Sequence, residues 1–272
     1  MGQFAARVSD FHACVHGPGA VLPPGMPQVL AGGLASARVS DLCSCLVGSG
    51  PISQGAAMVL VGGLPAARLG DATIHGGAVA LGHPLVLIGG PVFSVPASIK
   101  IEGDATFQSK VVRDLYLIWR TPTGKGLLES IDKSGKTVTI KPAAAGEGNS
   151  TGYDNPSDRF YKPSGTPGNG TNATIEYDPD RTRIGSEPWE TRPPAIGLAH
   201  ELVHADHAVH GTMSQGFTNN DNKPDPTNPN VIEQEKVREV EAAGIPPNNN
   251  RPFHENKIRS EWDPPQPQRQ WY

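Results

Sequence analysis

Residues 1–95 contain no Trp, Tyr, Lys or Glu and carry six charges, Arg7, Asp10, Arg38, Asp41, Arg68 and Asp71. A segment so poor in large side chains buries little apolar area per residue and needs a staple beyond its own core. The full chain also lacks a basic excess. With a formal net charge of -4 over 272 residues it offers no positive field to hold a nucleic-acid backbone. No apolar run approaches the roughly 18 residues that span a bilayer, and the N-terminus lacks a basic start followed by an apolar stretch. The expectation is a chain made in the cytosol, with no membrane span and no cleaved signal. Cysteine is scarce. Cys14, Cys43 and Cys45 are odd in number, which a disulfide framework accounts for poorly, so metal ligation is the better use. Glycine and proline, 32 and 27 residues, are abundant and indicate a loop-rich but folded chain.

All four Trp and all five Tyr fall in residues 96–272, together with nearly all of the Lys, Arg, Asp and Glu. The chain therefore reads as two domains, 1–95 and 96–272, joined where glycine and proline cluster at Gly89-Gly90-Pro91 to Pro96. The first contains a repeat. Val29-Leu30-Ala31-Gly32-Gly33-Leu34 through Arg38 and Asp41 overlays Val59-Leu60-Val61-Gly62-Gly63-Leu64 through Arg68 and Asp71, with a partial copy at Ala6–Asp10 and a truncated one at Val86–Gly90. Each copy reads as a strand, a Gly-Gly turn and a second strand ending at Arg-x-x-Asp, and the period implies stacked or symmetry-related units. His12, Cys14, His16, Cys43, Cys45, His75 and His83 cluster just after these Arg-x-x-Asp units. A tetrahedral zinc would take His12, His16, one of Cys43 and Cys45, and His75, leaving His83 in a Gly-His-Pro turn.

Pro65-Ala66-Ala67-Arg68-Leu69-Gly70-Asp71, followed by Thr73-Ile74-His75-Gly76-Gly77, resembles the PAAR-repeat proteins over residues 1–95. The resemblance implies a small all-β cone with a structural zinc near its apex, seated on the trimeric valine-glycine-repeat spike of a type VI secretion apparatus. It implies His12, His16, Cys45 and His75 as the structural zinc ligands, with Cys45 a better match than Cys43.

In the second half Ala199-His200-Glu201-Leu202-Val203-His204-Ala205-Asp206 dominates. Pro193 and Pro194 signal a helix start, and Ile196, Ala199, Leu202 and Val203 mark an apolar face. On that helix His200 and His204 lie one turn apart and can share one Zn²⁺, while Glu201 can serve as general base toward an attacking water. The chemistry indicated is peptide-bond hydrolysis. For a third ligand, His207 and His210 extend the histidine run, but position 207 lacks the glycine hinge needed to swing a last histidine back. The alternative is a carboxylate from a helix spanning Val231–Gly244, which offers Glu233, Glu235, Glu239 and Glu241, with Glu241 following Val237 by one turn.

The stretches Ile99–Asp104, Thr121–Leu128, Tyr177-Asp178-Pro179, His200–Ala205, Glu239 with Ala243-Gly244-Ile245, Glu255–Glu261 and Tyr272 resemble the NleD-like zinc metallopeptidase family of bacterial effectors. This implies an α+β zincin-like fold and an endopeptidase acting on proteins of a target cell. It also implies Glu239 as the third catalytic-zinc ligand, although Arg238 stands where the pattern has an acid. The combined expectation is a toxin carried by a spike tip, with one structural and one catalytic zinc, secreted from the producer cytosol into a recipient cell. An inhibitor protein or a closed cleft would protect the producer. Two other functions fit the sequence: a tip protein with a non-catalytic adaptor domain, and a zinc amidase acting on cell-wall peptides.

Overall fold

The computed structural model describes residues 2–220, 223 and 234–272. They form two compact units, Met1–Val95 with Ile101–Tyr116, and Pro96–Lys100 with Leu117–Tyr272.

In the first unit each Arg-x-x-Asp is a tight turn. Arg7, Arg38 and Arg68 carbonyls accept from the backbone N–H of Asp10, Asp41 and Asp71 at 3.1, 3.1 and 3.0 Å. Each aspartate folds back onto its arginine's backbone N–H and guanidinium. The third turn position has positive φ, 71° at Ser9, 81° at Ser40 and 90° at Gly70, so glycine is free of strain there and the two serines are not. The repeat closes on itself rather than stacking: Ala6 N–H donates to Ala67 C=O, Ala67 to Ala37 and Ala37 to Ala6, at 2.9, 3.0 and 2.9 Å. This ring is a pseudo-threefold, and around it Ala6, Ala37 and Ala67 pack with Val21, Ile52, Val79 and Cys43. Only alanines fit so close to an axis, which accounts for the small-residue composition. On the Gly-Gly hairpins, Leu30, Leu60 and Leu87 are 60%, 43% and 62% exposed, so the repeat presents apolar side chains at all three related positions.

Of the four expected zinc ligands, His12 and Cys45 come together with Cys14 beside them, their ligand atoms within 4.8 Å of one another, and Cys45 Sγ lies 4.0 Å from His12 Nδ1. Cys14 and Cys45 occupy equivalent positions of two repeats and form a disulfide, with His75 at the third position. While the pair is closed neither sulfur is a thiolate, so Cys45 would ligate a metal only in the reduced form. His12 has both ring nitrogens engaged, Nδ1 at 2.9 Å from Ser44 O and Nε2 at 3.0 Å from Thr73 Oγ1. His16 is exposed, and His75 is half-buried over Gly50. Cys43 lies in the alanine-lined core, where burial and then the Asp41 charge push its thiol up to about 12. In this structure the Cys14–Cys45 disulfide staples two of the repeats, a pairing that an odd number of cysteines does not suggest. Every element within residues 2–95 is a strand, as expected, and the unit also takes in helix α1 (Ala105–Trp119), which packs into it from Ala105 to Tyr116 through Ser109 against Ser40 and Tyr116 edge-on to Phe93.

The second unit is α+β. Its sheet has the order Ile99–Ile101, Val138–Pro142, Ala173–Tyr177, Ser150–Tyr153, with the middle pair parallel and the last pair antiparallel. Helix α2 (Pro122–Lys133) starts at Thr121, whose hydroxyl accepts from Gly124 N–H. Helix α3 (Pro194–Val209) starts at the expected prolines and ends where Gly211 takes φ 65°. The sequence suggests one apolar face, but every residue from Ala195 to Val209 is buried, because the sheet, α2 and two later helices surround α3. The later helices are α4 (Val237–Ala243), stopped by Gly244 at φ 74°, and α5 (Glu255–Glu261). The helix expected from Val231 is shorter, since Gln234–Lys236 pairs as a strand with Phe217–Asn219. Glu233 and most of the Asn- and Pro-rich run after Asn220 lie outside the described residues. No helix among the described residues is long and apolar enough to cross a membrane.

Candidate metal centre and active site

One helical turn separates His200 from His204, and their Nε2 atoms come to 3.1 Å. Glu239, on the second residue pair of α4, brings Oε2 to 2.8 Å from His204 Nε2 and 3.9 Å from His200 Nε2. Ligands about 2.0 Å from a tetrahedral ion stand about 3.3 Å apart, so this two-nitrogen, one-oxygen set fits zinc with a position left open. Without an ion, two imidazoles and a carboxylate crowd one point and cannot all hydrogen-bond at once. Burial would raise the Glu239 pKa, yet the hydrogen bonds to His200 and His204 hold it far below the usual carboxylate range. Burial likewise opposes protonation of His200, but Glu239 and Glu255 outweigh it and raise its pKa.

Helical geometry explains which glutamate turns in. Residues 239 and 241 project about 200° apart on α4. Glu241 accordingly faces away, pairing with Arg251 at 3.1 Å and Ser214 at 3.0 Å. Glu235 lies on the hairpin strand and accepts from Lys236 N–H. His210 caps α3, its Nδ1 2.9 Å from the Asp206 carbonyl, and does not join the cluster. Glu201, next to the first histidine, is buried and accepts a hydrogen bond from the Thr151 hydroxyl at 2.7 Å. Thr151 belongs to Ser150–Tyr153, an edge strand of the sheet.

Two further groups reach the centre that the motif spacing does not single out, although both lie in stretches that carry the family resemblance. Glu255 is fully buried with Oε2 3.0 Å from His200 Nδ1, an ion-pair distance not aligned as a hydrogen bond. Arg192, Arg259 and Arg269 surround it at 3.2, 2.7 and 3.4 Å. Burial would raise Glu255, but Arg192 and His200 lead the interactions that hold it well below its ordinary value. A carboxylate behind a ligating histidine fixes the ring's orientation and tautomer. Tyr272 places its hydroxyl 3.3 Å from His200 Nε2, and burial followed by the Glu239 charge raises that phenol's pKa. Asn220 clamps the Tyr272 backbone through both its N–H and C=O, and Arg269 lies 4.0 Å from the ring. The i,i+4 pair Glu255–Arg259 is the sole local hint of the first group.

His207, one turn beyond His204, has a buried Nδ1 with no partner, and burial pushes its pKa down to about 3. An unfolded histidine titrates near 6.5. Below that pH the unfolded chain takes up a proton that folded His207 refuses, so this contribution is fully present above pH 6.5 and is lost as pH falls toward 3. In that window the slope is about 1.4 kcal/mol per pH unit. The expected result is that His207→Gln flattens the urea-stability profile between pH 6.5 and 4. An unchanged slope would show that another group governs acid unfolding.

A deeply buried histidine-glutamate helix, a converging carboxylate and an outer carboxylate behind the first histidine define a metallohydrolase-type centre. The Peptidase_M91 profile, described as an effector protein, matches residues 96–272, and the chain belongs to that family. The PAAR motif matches residues 12–81. No curated protein matches the chain in sequence. Similar solved structures include the Clostridium botulinum neurotoxin serotype F light chain, at 13% identity and TM-score 0.34 over 52% of this chain and 45% of that one. The botulinum neurotoxin serotype HA light chain gives 17% identity and TM-score 0.33 over 52% and 44%. The chain thus matches less than half the length of either light chain.

Proposed function

We propose that the chain is a zinc endopeptidase effector delivered on a type VI secretion spike. The observation that carries the enzymatic reading is the convergence of His200 Nε2, His204 Nε2 and Glu239 Oε2 beside a buried Glu201. Those three residues would hold the zinc, which when bound supplies Lewis acidity and makes water a nucleophile near neutral pH. Glu201 takes the proton from the attacking water and returns it to the leaving amine, with Thr151 fixing the carboxylate for both transfers. Tyr272 directs a hydroxyl toward the same point and serves as donor to the oxyanion. Ser150–Tyr153 leaves one sheet edge open along which an extended peptide can lie.

For delivery, the closed three-membered alanine ring and the apolar Leu30, Leu60 and Leu87 support docking on a trimeric valine-glycine-repeat spike, since a threefold surface matches a threefold partner. The chain would be made in the producer cytoplasm and pass into a recipient cell, where a protein is the substrate and an immunity protein would protect producers. A structural zinc in the first unit, on His12, His16, Cys45 and His75, belongs to the reading for the form in which the Cys14–Cys45 pair is reduced. The test is to incubate the purified chain with recipient-cell extract and label new protein N-termini. Termini that appear with the wild-type chain and not with Glu201→Gln support the reading. None with either chain, in the presence of zinc, overturns it and favours a non-catalytic adaptor.

A further inference from the structure

Arg159 is a cation without an acid. Its guanidinium lies 4.4 Å from the ring of Tyr153 and 4.4 Å from that of Phe160, and its buried Nε has no hydrogen-bond partner. No ion pair meets it within the described residues. The adjacent acid, Asp158, is instead engaged by Asn155 and Asn169. A guanidinium held only for structure normally satisfies its donors on carboxylates or carbonyls. Here the group is held against two aromatic rings, and no described carboxylate takes the edge that forms two parallel hydrogen bonds to an oxyanion.

The location points to substrate. Tyr153 follows Thr151 by two residues on the same strand, so both side chains leave the sheet on one face, the face on which Thr151 bonds Glu201. Arg159 also holds its place through its carbonyl, which accepts from Met213 N–H just past the end of α3. Burial pushes the Tyr153 phenol up, and the charges of Arg159, Glu239, Glu201 and Arg238 all act on it. Arg238 spends its Nε on Glu239 at 3.2 Å and adds a second positive charge that bears on Arg159.

We propose that Arg159, held against Tyr153 and Phe160 on the sheet face where Thr151 bonds Glu201, receives an acidic side chain of the substrate close to the scissile bond. The inference rests on the peptidase reading and names its substrate class: peptides bearing a carboxylate or a phosphate next to the cleaved bond. Arg238 assists by offsetting the negative charge of Glu201 and Glu239 that such a residue would meet.

The experiment uses the zinc-loaded full chain and a peptide library of recipient-proteome digests, with cleavage sites read by mass spectrometry. The wild-type chain is expected to enrich Asp or Glu at one fixed position near the cut. Matched peptides carrying Glu, phosphoserine or Gln at that position then separate carboxylate from phosphate recognition, with kcat/KM for the better acid about tenfold above Gln. Arg159→Lys is expected to keep an acidic preference, Arg159→Ala to remove it, and Arg159→Glu to replace it with Lys or Arg. A structural role would not reverse the charge preference. Cleavage without acidic enrichment, or enrichment unchanged in Arg159→Ala and Arg159→Glu, overturns the inference while leaving the peptidase reading intact. Absence of any Glu201-dependent cleavage overturns both.

Discussion

Glu201→Gln is expected to lower kcat for peptide hydrolysis by about 10² to 10⁴, the range that a positioned general base contributes, with little change in KM or bound zinc. The side chain is nearly isosteric, and its amide oxygen can still accept from Thr151, which sits 2.7 Å from the carboxylate in the wild-type chain. What the amide cannot do is carry a proton. Because Glu201 is not one of the three converging donors, the metal should remain on His200, His204 and Glu239. A fall in zinc content that parallels the fall in rate would mean that Glu201 supports the ion rather than the proton transfer.

Glu255→Ala is expected to destabilise the chain by about 3–5 kcal/mol, the cost of leaving buried charge without its partner. Glu255 and Arg259 are completely buried, and Arg192 and Arg269 also reach the same carboxylate. Removing one anion strands three cations and frees His200 Nδ1 from its 3.0 Å neighbour. Burial followed by the Glu255 charge dominates the Arg192 environment, so the loss falls on that arginine directly. Urea unfolding measures the effect, and Glu255→Gln, which keeps acceptor oxygen but no charge, should lie between wild type and Ala. A loss under about 1 kcal/mol would show that water already reaches the cluster.

The sequence and the structure diverge in an ordered way. His200, Glu201 and His204 are legible because the chemistry sits within one turn of one helix, where spacing alone fixes direction. Glu239 came from resemblance, and the 200° between positions 239 and 241 gives the physical reason it rather than Glu241 faces the histidines. The helix before it starts later than its sequence pattern suggests, since Gln234–Lys236 pairs as a strand with Phe217–Asn219. Glu255 and Tyr272 reach the centre from more than fifty residues beyond the histidine helix, and although both belong to the stretches that carry the resemblance, no spacing ties them to His200. At the first unit the repeat itself held the missing clue: Cys14 and Cys45 occupy corresponding turns of successive copies, 31 residues apart, and closing the repeat around an axis brings corresponding positions together. The count of three cysteines obscured that pairing.

The central claim is a catalytic zinc on α3 and α4. Elemental mass spectrometry of the purified full chain and of His200→Ala/His204→Ala tests it most directly. The account predicts that the double substitution removes one zinc per chain, whatever the first unit holds. An equal zinc content in the two proteins would contradict it.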